Sequence, residues 1–306
     1  MSLLSLIVGG FAMAAAQTCP VELVVLGTAQ DGGAPQIGHD NDPAWKDASL
    51  RRTATSLGVV DRTSGRRWLF EATPDLREQL HRFDSIAPAP DPNHGLNGVF
   101  LTHAHMGHYV GLMFFGHESM GAKDLPVYAM PRMAQYLTDN GPWSQLVRYN
   151  NIALKPLADR QTVDLGALKV TPLAVPHRQE FSEVVGFRIE GPAKSVLFIP
   201  DIDSWEHWDA LGVRIEDEIA KVDVAYLDAT FYAQGELPGR DMTKIPHPLI
   251  TWSMQRFAAL PASERAKVRF IHLNHTNPAR FPGSEARKAV EASGFRVAEE
   301  MERVCL

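Results

Sequence analysis

The sequence predicts an α/β protein in which β-sheets pack face to face with helices outside. Three observations carry that expectation. Short, near-continuous apolar runs rich in β-branched residues recur along the chain, as buried strands require. Two of them flank a tight polar turn, as in a hairpin. The others alternate with stretches of helical period, and hairpins mixed with strand–helix units do not fit a pure doubly wound sheet. With 306 residues, 45% hydrophobic and 22% charged, the chain has the balance of a folded globular protein, which argues against disorder or a multi-span membrane protein.

Taken in order, Val21–Gly27 (VELVVLG) is the first strand and runs into a polar, glycine-rich turn. Ser56–Asp61 and Arg67–Glu71 surround the turn Thr63-Ser64-Gly65-Arg66. Further strands are expected at 98–102, 126–129, 167–175, 184–189, 195–199, 222–227 and 268–273. Helices are expected at 75–83, 108–115, 131–140, 205–211, 216–221, 249–260 and 284–293. The stretches 37–52 and 233–247 are rich in polar and turn residues and read as long loops, which in compact domains are often functional. No repeat and no low-complexity linker divides the chain.

Residues 3–16 form a 14-residue apolar run ending in Ala14-Ala15-Ala16. A membrane-spanning helix needs about 20 apolar residues. The run reads as the apolar part of a secretory signal with a small-residue cleavage pattern, although the first basic residue is only Lys46. The alternative is a buried N-terminal helix. The first reading makes 17–306 one mature domain, periplasmic or secreted and without stable membrane insertion; the second leaves the chain cytoplasmic. In an oxidising compartment, Cys19 and Cys305 are able to join the first and last strands as a disulfide. Thirty Lys and Arg against 36 Asp and Glu give a net charge of −6, which argues against a sequence-independent grip on nucleic acid. A small-molecule substrate is expected, and oligomeric state is left open.

The strongest local signal is Thr102-His103-Ala104-His105-Met106-Gly107-His108, directly after a strand and before a helical pattern. His103 and His105 share one side of extended backbone, and the turn brings His108 round to meet them. Neutral imidazole suits zinc and other borderline cations. The bland alternative is a polar loop with three surface histidines. His177, Asp201, His272 and His275 recur in the same setting, at or just past strand ends. Each alone is weak; their recurrence together points to one metal site.

The order HxHxxH, then His177, Asp201 and a late histidine, resembles the metallo-β-lactamase superfamily. Within it, Leu26–Gln36 (LGTAQDGGAPQ) and His272–Pro278 (HLNHTNP) resemble the pyrroloquinoline quinone biosynthesis protein B branch. The resemblance covers nearly the whole chain and implies a four-layer αββα sandwich. It implies that His103, His105 and His177 hold one ion, that Asp201 bridges, and that His108 and His272 hold a second. His272 is preferred to His275 because the branch keeps a histidine there; His275 then supports the site or faces the substrate. Asp31 and Asp75 lie in loops near the expected metal face and are supporting residues at most.

Three departures matter. The superfamily carries an aspartate ligand where this chain has Gly107, so the second site is expected to be weakened, with one or two zinc ions bound. Restoring Asp there is then expected to raise the metal content. The protein B branch has lost the first two histidines of the motif, which this chain keeps. His39 stands where that branch tends to carry a cysteine of a structural zinc site, so that site is not expected. Leu227-Asp228-Ala229-Thr230-Phe231, with His247 downstream, resembles the ribonuclease Z branch, where a carboxylate orients a histidine that protonates the leaving group; the alternative is an Asp at a turn and a His at a helix start. Trp205, Trp208 and Phe231 are pocket or core residues.

These features imply a metal-dependent, zinc-type hydrolase. Three imidazoles leave the ion its charge, which brings bound water to a pKa of about 7, so that hydroxide attacks an ester, lactone, phosphodiester or β-lactam. An iron-dependent oxidase or oxygenase on the same fold is the alternative, with manganese also admitted. A non-catalytic metal-binding protein is a third reading.

Overall fold

The structure is a computed structural model and describes residues 19–88 and 95–306. The signal-type run at 1–16 therefore lies outside the described residues. Fourteen strands are described, and they form two seven-stranded sheets. The first six are β1 (Val21–Gly27), β2 (Ser56–Asp61), β3 (Arg67–Phe70), β4 (Leu96–Phe100), β5 (Leu125–Ala129) and β6 (Ile152–Pro156). The next seven are β7 (Val163–Asp164), β8 (Lys169–Ala174), β9 (Val185–Glu190), β10 (Ser195–Ile199), β11 (Val224–Asp228), β12 (Val268–Ile271) and β13 (Arg296–Val297). The last, β14 (Arg303–Cys305), returns to the first sheet.

The sheet orders are β14-β1-β2-β3-β4-β5-β6 and β13-β12-β11-β10-β9-β8-β7. Each sheet has an antiparallel part and a parallel part. β2 and β3 pair antiparallel around the turn expected from sequence, whereas β3 to β6 run parallel. In the second sheet β10 to β13 run parallel, and β7 to β10 antiparallel. Parallel neighbours need crossovers, and these bring helices onto the outer faces.

Strand alternation then builds three hydrophobic layers. Trp68, Phe70 and Phe100 of one sheet face Phe187, Phe198 and Tyr226 of the other. Val24, Leu69 and Val127 point the opposite way and meet Leu76, Leu80 and Phe83 of the helix Leu76–Ile86. On the far side Leu197, Ala225 and Phe270 meet Trp205, Trp208 and Phe257. The result is the four-layer αββα sandwich that the resemblance implies.

Trp205 and Trp208 belong to this outer core, with their ring N–H groups donated to Ser253 Oγ and the Ala174 carbonyl, each at 2.9 Å. The expected helix 108–115 is interrupted. An α-helical turn at Met106–Tyr109 gives way to a 3-10 segment at Val110–Phe115, because the Gly111 N–H donates across to Ala72 O instead of up the helix. Cys19 and Cys305 are disulfide-bonded, and β14 pairs with β1 beside them.

The C-terminal ends of β1, β4, β8, β10, β11 and β12 converge at one edge of the sandwich. These ends and the loops leaving them carry the ligand-type residues of the site described next.

Candidate metal centre

Among the described residues three groups of ligand-type side chains share Asp201: a smaller one of Asp201, Asp228 and His247, and two of four residues each. His103, His105, His177 and Asp201 form one; Asp31, His108, Asp201 and His272 form the other. Within each, one ligand atom per residue lies within 4.8 Å of all the others. Asp201 sits between them, with Oδ2 at 2.9 Å from His108 Nε2 and 3.5 Å from both His103 Nε2 and His272 Nε2. His103, His108, His177, Asp201 and His272 are buried. Asp31 was expected only to support the site, yet its carboxylate enters the second cluster.

Each imidazole is held by a partner that the motif alone does not reveal. His103 Nδ1 lies 2.8 Å from Thr102 Oγ1, and His105 Nε2 lies 3.0 Å from Glu180. His177 Nδ1 donates to Asp203 at 2.9 Å. His108 Nδ1 faces the buried Glu71 at 3.5 Å. Thr230 Oγ1 donates to Asp228 at 2.8 Å and lies 3.0 Å from His272 Nδ1, which leaves His272 Nε2 facing the cluster. Such contacts fix ring orientation and tautomer in metal sites. His272 has φ 67°, a left-handed conformation uncommon outside glycine, and this backbone turn swings its ring into the site.

The electrostatics suit a cation. Burial, together with the neighbouring His108, holds His103 well below the usual histidine range, so its ring is neutral and able to ligate. Burial alone would raise the Asp201 and Asp31 carboxyls, but the facing imidazoles hold both well below the usual carboxylate range. His103 Nε2 and Asp201 Oδ1 are buried without a hydrogen-bond partner among the described residues. Buried polar atoms pointing at one another without protons to share are costly unless an ion joins them. The donor set, three imidazoles plus a shared carboxylate, fits a zinc-type ion.

Beside the clusters lies the pair foreseen from the second motif. His247 Nδ1 donates to Asp228 Oδ2 at 2.9 Å, and Asp228 is further fixed by the Ile202 and Thr230 N–H groups, each at 3.0 Å. Burial works to lower the His247 pKa, but the charge and hydrogen bond of Asp228, with Asp201 and Asp31 nearby, raise it to about 9. Its ring borders a cavity of about 760 Å³, also lined by Asp203, Trp205, Ile245, Trp252 and Arg256. Phe231 packs with Met242 and Leu249 beneath this loop and is buried, not a free pocket wall.

Two expected residues fall outside the clusters. Asp75 accepts a hydrogen bond from the Ala54 N–H at 2.8 Å and so braces backbone instead of a ligand. His275 packs against His39 with the rings tilted and their centroids 3.9 Å apart, on the loop beyond His272. His272 and not His275 reaches the cluster. The space beside Gly107 is filled by Asp31. Glu71, Glu180 and Asp203 were not foreseen as site residues, and Thr230 entered only as a member of the Asp-Ala-Thr-Phe motif. Their only signal is position at a strand end or in the adjoining loop, which they share with many ordinary turn residues.

A model of the β-lactamase superfamily domain matches residues 66–272. Coenzyme PQQ synthesis protein B of Xanthomonas axonopodis pv. citri is 27% identical over 310 positions, covering 92% of this chain and 98% of that protein. Zinc-bound PqqB from Methylobacterium extorquens superposes with a TM-score of 0.77 at 24% identity, covering 93% of this chain and all of that one. A diphosphatase of the PhnP family superposes with a TM-score of 0.66 at 20% identity, covering 94% of this chain and 98% of its own. The two structural likenesses speak for the fold.

Proposed function

From the premise that the chain belongs to the β-lactamase superfamily, we propose that it is a metal-dependent hydrolase of a small ester, lactone, phosphodiester or β-lactam. The observation that carries this reading is the juxtaposition of the two ligand clusters with a carboxylate-backed histidine at the mouth of a cavity. A divalent ion at this site, when bound, supplies a Lewis acid that activates water and stabilises negative charge as it develops. His103, His105, His177 and Asp201 would hold one ion, and His108, Asp201 and His272 would contribute to a second.

The chain's own groups do the rest. Asp201, fixed between four imidazoles, orients the reacting centre. Asp228 accepts the hydrogen bond from the Nδ1–H of His247, so Nε2 is the nitrogen that serves the cavity, where the protonated ring hands its Nε2 proton to the leaving group. The buried rings exclude bulk water, which strengthens both interactions.

The whole-length likeness to coenzyme PQQ synthesis protein B supports a second reading, a protein B-like role in place of hydrolysis; the form we propose for it is an iron-dependent oxidase or oxygenase on the same residues. Oxidising surroundings, periplasmic or secreted, are part of the proposal. They are supported by the Cys19–Cys305 bond and by the signal-type run at the start of the chain.

The test is a panel of p-nitrophenyl ester, lactone, bis(p-nitrophenyl) phosphate and β-lactam substrates, assayed after zinc reconstitution. Turnover of at least one, abolished by chelation and restored by zinc, is the expected result. A zinc-loaded protein inert to all four, whose iron-loaded form consumes dioxygen, would establish the second reading instead.

A further inference from the structure

Gly107 and Asp31 are far apart in sequence and in contact in space. A Cβ built on Gly107 would lie 2.5 Å from the Cα, the Cγ and the Oδ1 of Asp31. Cβ atoms do not approach backbone that closely, so residue 107 cannot carry a side chain while Asp31 holds its place. The volume a carboxylate on residue 107 would need is the volume the Asp31 carboxylate fills.

That carboxylate is aimed at the second cluster. Asp31 Oδ1 lies 3.1 Å from His108 Nε2 and 3.3 Å from His272 Nε2, the two ring nitrogens that also face Asp201. Its loop is anchored on both sides. Ala29 N–H donates to Thr53 O at 2.9 Å, and Gly33 N–H closes the turn onto Gln30 O at 2.8 Å. Gln30 N–H donates to Leu273 O and Leu273 N–H to Thr28 O, each at 2.9 Å, so the loop is stitched to the residue that follows His272. A change in Asp31 therefore acts at the site directly, from a fixed backbone.

We propose that Asp31 supplies the carboxylate ligand of the second cation, moved from the loop after β4 to the loop after β1, and that Gly107 is the partner change that makes room. The second position then has Asp31, His108, Asp201 and His272, a full set of four protein ligands instead of a weakened three. This rests on the metal-dependent reading of the site. It reverses the expectation that an aspartate restored at 107 strengthens metal binding. In this chain such a residue collides with the ligand already present.

The test uses the chain stripped with chelator and reloaded separately with zinc and cobalt(II). Metal per chain is read by mass spectrometry of the elements, and the cobalt coordination by visible absorption. The wild type is expected to hold two ions. Asp31→Ala, and the near-isosteric Asp31→Asn, are expected to hold one, or to bind the second at least tenfold more weakly, with unchanged circular dichroism. Gly107→Asp alone is expected not to exceed the wild type. Two ions bound with wild-type affinity by both Asp31 variants, or a gain of metal in Gly107→Asp alone, would overturn the proposal. A wild type holding less than one ion would overturn the metal-dependent reading itself, and is distinguishable because it precedes any substitution.

Discussion

Glu71 shows how the site is tuned one residue at a time. It directly follows β3 with φ 80°, fully buried, and faces His108 Nδ1 at 3.5 Å. Burial pushes its carboxyl up, and the His108 charge only partly offsets this. A buried carboxylate behind a ligand imidazole orients the ring and raises its basicity. Glu71→Gln is expected to weaken metal affinity by about 10–100-fold, measured by competition with a chelator. His247→Ala is expected to leave the metal content intact and to separate substrates by leaving group. Turnover should fall about 100-fold or more where the leaving group needs a proton, and little where p-nitrophenolate departs unaided. Equal losses on both would deny His247 that role. The histidine motif was legible because its three rings lie within six consecutive positions after one strand. Asp31 and Glu71 were not read as ligand or ring partner, because their roles exist only across the fold; Asp31 meets His108 across 77 positions.

At the scale of elements, the inner strands were readable and the four edge strands were not. β1, β2 and β10 have the bounds expected, since each is a run of buried residues ending in a turn. β6 is half exposed and contains Lys155 and Pro156, so it shows neither alternation nor a buried run. β7 and β13 have two residues each, too few for any period. β14 has three residues, but it is tied down twice, by pairing with β1 and by the Cys19–Cys305 bond. That bond spans 286 positions and so constrains almost the whole unfolded chain. Cys305→Ser is expected to cost about 2–5 kcal/mol, read as a lowered denaturation midpoint, with Cys19 then free to react with a thiol reagent. Two reactive thiols in the unreduced wild type would deny the bond.

At the scale of the molecule, the site depends on both sheets at once. The loop after β4 brings three histidines from the first sheet, and the loops after β8, β10 and β12 bring His177, Asp201 and His272 from the second. The backbone bond from Val185 N–H to Thr102 O, 3.1 Å long, joins the sheets immediately behind the histidines. A cation bound there ties the two halves together. Ligands that bind only the folded state stabilise it by mass action, about 2.7 kcal/mol at one hundred times the dissociation constant. The most direct test of the whole account is therefore metal per chain, measured with the thermal midpoint, on protein stripped and then reloaded with zinc or iron. Two ions per chain with a rise in the midpoint are predicted. Less than one ion per chain after reloading with either metal, and no shift, would contradict it.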